Sequence, residues 1–141
     1  QEIEAAGAGL QRASAAASTA DFTMWASADK VKGIVGCLNK QGMVEFAIEA
    51  GSQASPRGHV LFSEMMKHFG SNVRGVVGSW KAGSNLAEFN RLTAQGMAAE
   101  QAAAATWTGR QAAQHGFTAV RIVAAEGSPG AYTRVLVEFT R

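Results

Sequence analysis

The sequence predicts an α+β fold with a mostly antiparallel sheet and helices packed on one of its faces. Three observations carry this. Val44, Phe46 and Ile48 alternate with Glu45, Ala47 and Glu49, the period of a half-buried strand. Phe62, Met66 and Phe69 recur at helical spacing. Two more alternating runs, Phe117 to Ala124 and Tyr132 to Phe139, flank a loop of Gly, Ser and Pro. At 141 residues and 47% hydrophobic the chain is long enough to bury a core without staples. Its single cysteine, Cys37, excludes an intrachain disulfide and a CxxC zinc site, and reads as a small buried hydrophobe. A formal charge of +2 suits a polyanionic partner without requiring one. No apolar run reaches the roughly 20 residues that span a bilayer.

In chain order, residues 1–20 are nearly all Ala, Gly, Ser and Gln and read as a frayed helix or linker; 21–141 read as a single domain. Asp21 to Asp29, with Phe22, Met24 and Trp25, reads as an anchor packed on the main body. Val31 to Ala50 reads as a hairpin turning at Asn39-Lys40-Gln41-Gly42. A loop from Gly51 to Gly58 leads to a helix over His59 to Phe69, closed by Gly70 as a C′ glycine. Val73 to Trp80 is extended. Asn85 opens a helix, with Glu88 at capping-pair spacing, and Gly96 stops it. A second helix is expected from Ala98 to His115, with a small-residue stripe that includes Gly109. A glycine inside a helix implies close packing or a ligand. The closing strands follow. The absent initiator Met points to a fragment or processed chain, and the end on a strand to a module at the tip of a longer protein.

The chain has no Walker-type phosphate loop, HExxH, GxSxG or cysteine-based deaminase signature. Three histidines are the natural acid/base candidates at neutral pH. His59 sits at a loop-to-helix junction, and His68 is one turn after Glu64 and spaced to pair with it. On one regular helix His59 and His68 face opposite ways. His115 closes the last helix, where a cation meets the dipole. Arg57, Lys67, Arg74, Lys81, Arg110, Arg121 and Arg134 are the phosphate-holding candidates, a solvated surface role being the plain alternative for each. Trp107, Arg110 and Gln114 share one helix side, where a ring, a fork of donors and an amide suit a nucleotide; Trp107 reads equally as a core wedge. Tyr132, Arg134 and Glu138 are expected on one strand face.

Four stretches carry a resemblance: Gly78-Ser79-Trp80, Asn85-Leu86-Ala87-Glu88-Phe89-Asn90, Thr106-Trp107-Thr108-Gly109-Arg110 and Tyr132-Thr133-Arg134-Val135-Leu136-Val137-Glu138-Phe139. From about Gly58 to Arg141 the chain resembles the C-terminal toxin domains of Rhs-type and filamentous-haemagglutinin-type polymorphic toxins. Helices before an antiparallel sheet with a final Tyr-Thr strand look like the barnase–RelE–colicin group of ribonucleases. The resemblance implies an effector of interbacterial competition, secreted on a larger carrier into a target-cell cytoplasm and held by a cognate immunity protein. It implies RNA cleavage without metal or cofactor. Its acid/base is His59 or His68, with Arg74, Arg110 and Arg134 on the phosphate, Tyr132 or Thr108 positioning it, and Arg57, Lys67 and Trp107 in substrate binding. The active site is then expected between the two halves of the chain. The rival class is an NAD-consuming toxin, an ADP-ribosyltransferase or glycohydrolase using Arg57 or Arg74 with Glu138, although no Ser-Thr-Ser and no paired late Glu appear. A non-catalytic adaptor domain of a secreted protein is the third reading.

Overall fold

A computed structural model describes residues 21–25, 32–49 and 58–141, so the Ala-rich segment 1–20 and Arg57 lie outside the described residues. The fold class is as expected, α+β with antiparallel strands. The chain divides into two compact units, Gln1–Arg74 and Gly75–Arg141.

In the first unit the expected hairpin forms from β2 (Gly33–Leu38) and β3 (Met43–Glu49), antiparallel. Its turn is fixed locally. The Asn39 Oδ1 accepts from the backbone N–H of Gln41 and of Met43, both at 2.9 Å. Gly42 takes φ +81°, which a side chain would strain. Of the segment expected as an anchor, Asp21 to Asp29, Ala26 to Asp29 lie outside the described residues; over Asp21–Trp25 it is a strand, β1, paired antiparallel with β2. Its β-favouring residues gave a local hint, but its partner lies in another stretch of chain.

Helix α1 (Gly58–Phe69) buries Leu61, Phe62, Met65, Met66 and Phe69. It packs on the Ile34 and Gly36 face of β2, and Phe46 on β3 meets Phe62 edge-on at 5.2 Å. A Cβ on Gly36 would lie 2.5 Å from the Met65 sulfur, so this glycine is what lets the helix sit so close. Gly70 ends α1 at φ +71°, as the sequence predicts, and a 3-10 turn (Gly70–Asn72) follows. Cys37 is buried on the opposite face of β2, beside Val35.

The second unit contains β4 (Gly75–Trp80), α2 (Gly83–Ala94), α3 (Ala99–Ala105), α4 (Trp107–Gln114), β5 (Ala119–Glu126) and β6 (Arg134–Thr140). Strand β6 lies between β4 and β5 and pairs antiparallel with both. One sheet face carries Val76, Trp80, Val135, Val137 and Phe139, all buried, and the helices cover it. The other carries cross-strand ion pairs: Arg121 to Glu138 at 2.7 Å and Arg134 to Glu126 at 3.3 Å. The Trp80 indole folds back over Gly78, where a Cβ would lie 2.9 Å from the ring, and contacts Phe89 and Phe139 at 6.0 and 6.5 Å. The Gly78-Ser79-Trp80 stretch is thus a core device.

Three local expectations are corrected. The single helix over Ala98 to His115 is two helices broken at Thr106, whose backbone is extended. The Thr106 hydroxyl donates to the Ala103 carbonyl at 2.6 Å and accepts from the Gly109 N–H at 3.1 Å, so it finishes one helix and caps the next. The Asn85–Glu88 capping pair does not form, because α2 starts earlier, at Gly83, with Ala82 in the cap position. Tyr132 precedes β6 rather than sharing its polar face, and its ring packs on Phe89 at 5.1 Å.

Candidate functional site

The polar architecture of the second unit starts from α2. Asn85 reaches α4 with both ends of its amide: its Oδ1 accepts from the Thr108 N–H at 3.1 Å and its Nδ2 donates to the Thr108 Oγ1 at 2.9 Å. The N–H it satisfies belongs to the first turn of α4, which has no intrahelical partner. Asn85 is therefore a cap supplied by another helix. The tight junction between α3 and α4 explains Gly109, whose Cβ would sit 2.3 Å from the Ala103 carbonyl oxygen. Close packing, rather than a ligand, is its reason.

One turn beyond Asn85, the Glu88 carboxylate accepts from Arg91 Nη2 at 2.6 Å. That bond holds the Glu88 pKa below the ordinary carboxylate value. Partial desolvation opposes the effect, and the charges of Arg91 and of Arg110 on α4 reinforce it. Arg110 is exposed, and its Nη1 donates to the Ala105 carbonyl at 2.7 Å, which folds its guanidinium back toward the end of α3. Trp107 lies on the same side of α4, half-buried. The tether through Asn85 and Thr108 docks α4 on α2, and the Glu88 carboxylate feels two guanidiniums, Arg91 on its own helix and the exposed Arg110 on α4.

Farther along α2, the Asn90 Oδ1 accepts from the Tyr132 N–H at 2.7 Å and its Nδ2 donates to the Tyr132 carbonyl at 2.9 Å. The Thr93 hydroxyl accepts from the Gly130 N–H at 3.0 Å. These clasps hold the loop before β6 against the helix.

The residues nominated from sequence divide between the units. On α1, His59 and His68 are both exposed and nine positions apart in one regular helix, so they do not form a pair. The expected Glu64–His68 pair is replaced by Glu64–Lys67 at 3.2 Å, and the His68 ring lies against Phe22 and Phe69 at 5.1 Å each. Arg74 is exposed, with its aliphatic stem over Gly42. In the second unit Thr108 is only 1% exposed and its hydroxyl is engaged by Asn85, so its role in the fold is that of a clasp. Arg134 is held by Glu126. The His115 pKa is lowered by burial, opposite to the rise that the helix dipole alone would give.

Comparison with protein-family models, curated proteins and solved structures returned no match.

The Glu88–Arg91 pair is not among the candidates read from the sequence. Their i,i+3 spacing was visible, but Glu88 was assigned to a cap, and the approach of Arg110 depends on the break at Thr106. Nor is Gln111, which is 6% exposed with no donor on its buried Oε1. Among the described residues no three His, Cys, Asp or Glu side chains converge as a metal site, and no helix is long and apolar enough to cross a membrane.

Proposed function

We propose that this chain is the effector domain of a bacterial polymorphic toxin and cleaves RNA without a metal, using Glu88, Arg91 and Arg110. One observation carries the reading: a carboxylate kept ionised by a guanidinium at 2.6 Å, with a second guanidinium adding to the field. As an exposed pair, Glu88–Arg91 adds little to stability. As a site it has the parts that RNA transesterification needs. An incoming phosphodiester competes for both arginines, which releases Glu88 and restores its basicity. Glu88 then takes the proton of the ribose 2′-hydroxyl. The 2′-oxygen bonds to phosphorus, and the guanidiniums stabilise the charge on the non-bridging oxygens. The bond to the 5′-oxygen breaks, that oxygen leaves with a proton from water, and the Glu88 acid neutralises the hydroxide.

The acid/base role thereby moves from His59 and His68 to α2. The biological setting stays that of the resemblance: a larger secreted carrier, delivery to a target-cell cytoplasm and a cognate immunity protein.

The test incubates the purified chain, with EDTA present, with total RNA and separately with NAD. RNA cleavage is expected. Glu88→Gln and Arg110→Ala should each lower it by about 100-fold, with unchanged thermal melting, whereas His59→Ala and His68→Ala retain it. Intact RNA with NAD consumed would establish the rival activity, and neither reaction would favour the adaptor reading.

A further inference from the structure

Strand β2 is buried on both of its faces. Ile34 and Gly36 face α1, whereas Val35 and Cys37 lie on the opposite face at 2% and 1% exposure. Among the described helices it is α1 that packs on β2, from its own side. The described hydrophobic side chain packed against Val35 and Cys37 is Ala47 on the adjoining strand, which is too small to close that face. A side chain on an uncovered face of an antiparallel sheet keeps part of its surface in water, so a further layer lies over Val35 and Cys37. Thr23, paired with Val35 on β1, is exposed, which places that layer along β2 rather than over the sheet edge.

We propose that residues 1–20 supply this layer, packed as a helix over the outer face of β2. Three lengths of chain lie outside the described residues. Segments 26–31 and 50–57 leave the sheet at Trp25 and Glu49, both at the Gly33 end of β2. The first turns straight back into β2, and the second leads to α1 on the other face. Cys37 is four residues away from that end, about 13 Å along the strand. Residues 1–20 instead join the sheet at Asp21, which is paired with Cys37 itself. Their sequence suits the surface. On a helix Ile3, Ala6, Leu10, Ala13 and Ala17 fall within about 80° of one another, and Glu4, Gln11, Arg12 and Thr19 point away. Alanines on that side let a helix backbone come close to a face built of Val, Cys and Ala. Twenty helical residues span about 30 Å, enough to run the roughly 20 Å of β2 and turn into β1. Gly7 and Gly9 each cost about 1 kcal/mol relative to alanine, so the helix depends on packing against the sheet. Residues 1–20 are then a layer of the first unit rather than a linker to it.

Cys37 is the single cysteine of the chain, which makes the test direct. Ala13→Cys and Ala17→Cys are each introduced into the full chain and oxidised, with Ala15→Cys, on the far side of the helix, as control. A disulfide needs Cα atoms about 4.4–6.8 Å apart. At least one of the first two variants is expected to form it with Cys37 within one chain, read by mass spectrometry of a non-reduced digest, and Ala15→Cys is not. Thiol labelling of the full chain gives a second readout. Leu10→Asp should label Cys37 at least about tenfold faster than the native chain, because the burial of one leucine is lost, while Gln11→Asp leaves the rate unchanged. If Leu10→Asp unfolds the first unit, the disulfide series decides alone. No disulfide from either apolar-face position, or one from Ala15→Cys as readily, would overturn the proposal. Disulfides between two chains would put a second copy on this face, and native Cys37 labelling as fast as an unfolded thiol would leave it for a separate partner protein; either result also overturns it.

Discussion

Replacing Asn85 by alanine tests the joint on which the second unit is organised. The substitution removes an acceptor from the Thr108 N–H and a donor from its Oγ1. Thr108 is 1% exposed, so water does not take over without opening the interface between α2 and α4. Two buried polar groups losing their partners cost about 1–1.5 kcal/mol each, or about 2–3 kcal/mol together. For a chain of this length that lowers Tm by roughly 5–10 °C. Asn85→Asp is the discriminating control. It keeps the acceptor, the Thr108 hydroxyl rotates to donate to it, and its charge lies near the N-terminus of α4. It should fall within about 0.5 kcal/mol of the native chain. Urea unfolding followed by tryptophan fluorescence gives both values, with an unchanged m confirming that the same transition is compared. If Asn85→Ala unfolds at the native midpoint, or Asn85→Asp is as damaging as alanine, the inter-helix cap contributes nothing and the account of how Glu88 meets Arg110 falls.

Two further outcomes follow from the same unit. Gly109→Ala should destabilise by about 3 kcal/mol, because its Cβ would meet the backbone carbonyl of Ala103 at 2.3 Å and rigid backbone cannot step aside as a flexible side chain would; a native-like melting temperature would refute the tight α3–α4 junction. His115 should titrate by NMR below its ordinary 6.5, since burial disfavours the imidazolium. The unfolded chain then takes up the proton first as pH falls. This contribution to stability is complete above pH 6.5, declines as pH drops toward the folded-state pKa, and is constant below it. His115→Gln should flatten that slope, and an unchanged slope would assign it to other groups.

How much of this was legible in the sequence depended on the range of the interactions. The β2–β3 hairpin, α1 and its closing Gly70 were readable because their determinants are local: the Asn39 turn, period-two alternation, one apolar helix face and a positive φ. Strand β1 was not, because its identity rests on pairing with β2 rather than on its own five residues. The break at Thr106 was missed because a run of alanines argues for continuing a helix, and one hydroxyl serving two helix ends outweighs that propensity. Asn85 was read as the cap of its own helix and is not; it satisfies the first turn of α4 instead, and nothing local shows that this partner lies 23 residues away. The candidate site suffered most. Charge and helical spacing marked Arg110 and Trp107, but the approach of Arg110 to Glu88 exists only once two helices are docked.

The strand order of the second unit bears on its synthesis. Strand β6 follows the other five described strands in the chain, yet it is the one between β4 and β5. On the ribosome, β4 and β5 emerge with the edges meant for β6 unpaired, and β5 adjoins it only through the Glu126 to Arg134 connection. The hydrophobic face completed by Val135, Val137 and Phe139 is absent until Thr140 clears the exit tunnel. Translation at about 5–20 residues per second leaves those edges open for seconds. This interval, rather than the folded state, is when the unit is most exposed to aggregation and to capture by chaperones, and a chain stalled before β6 would remain there.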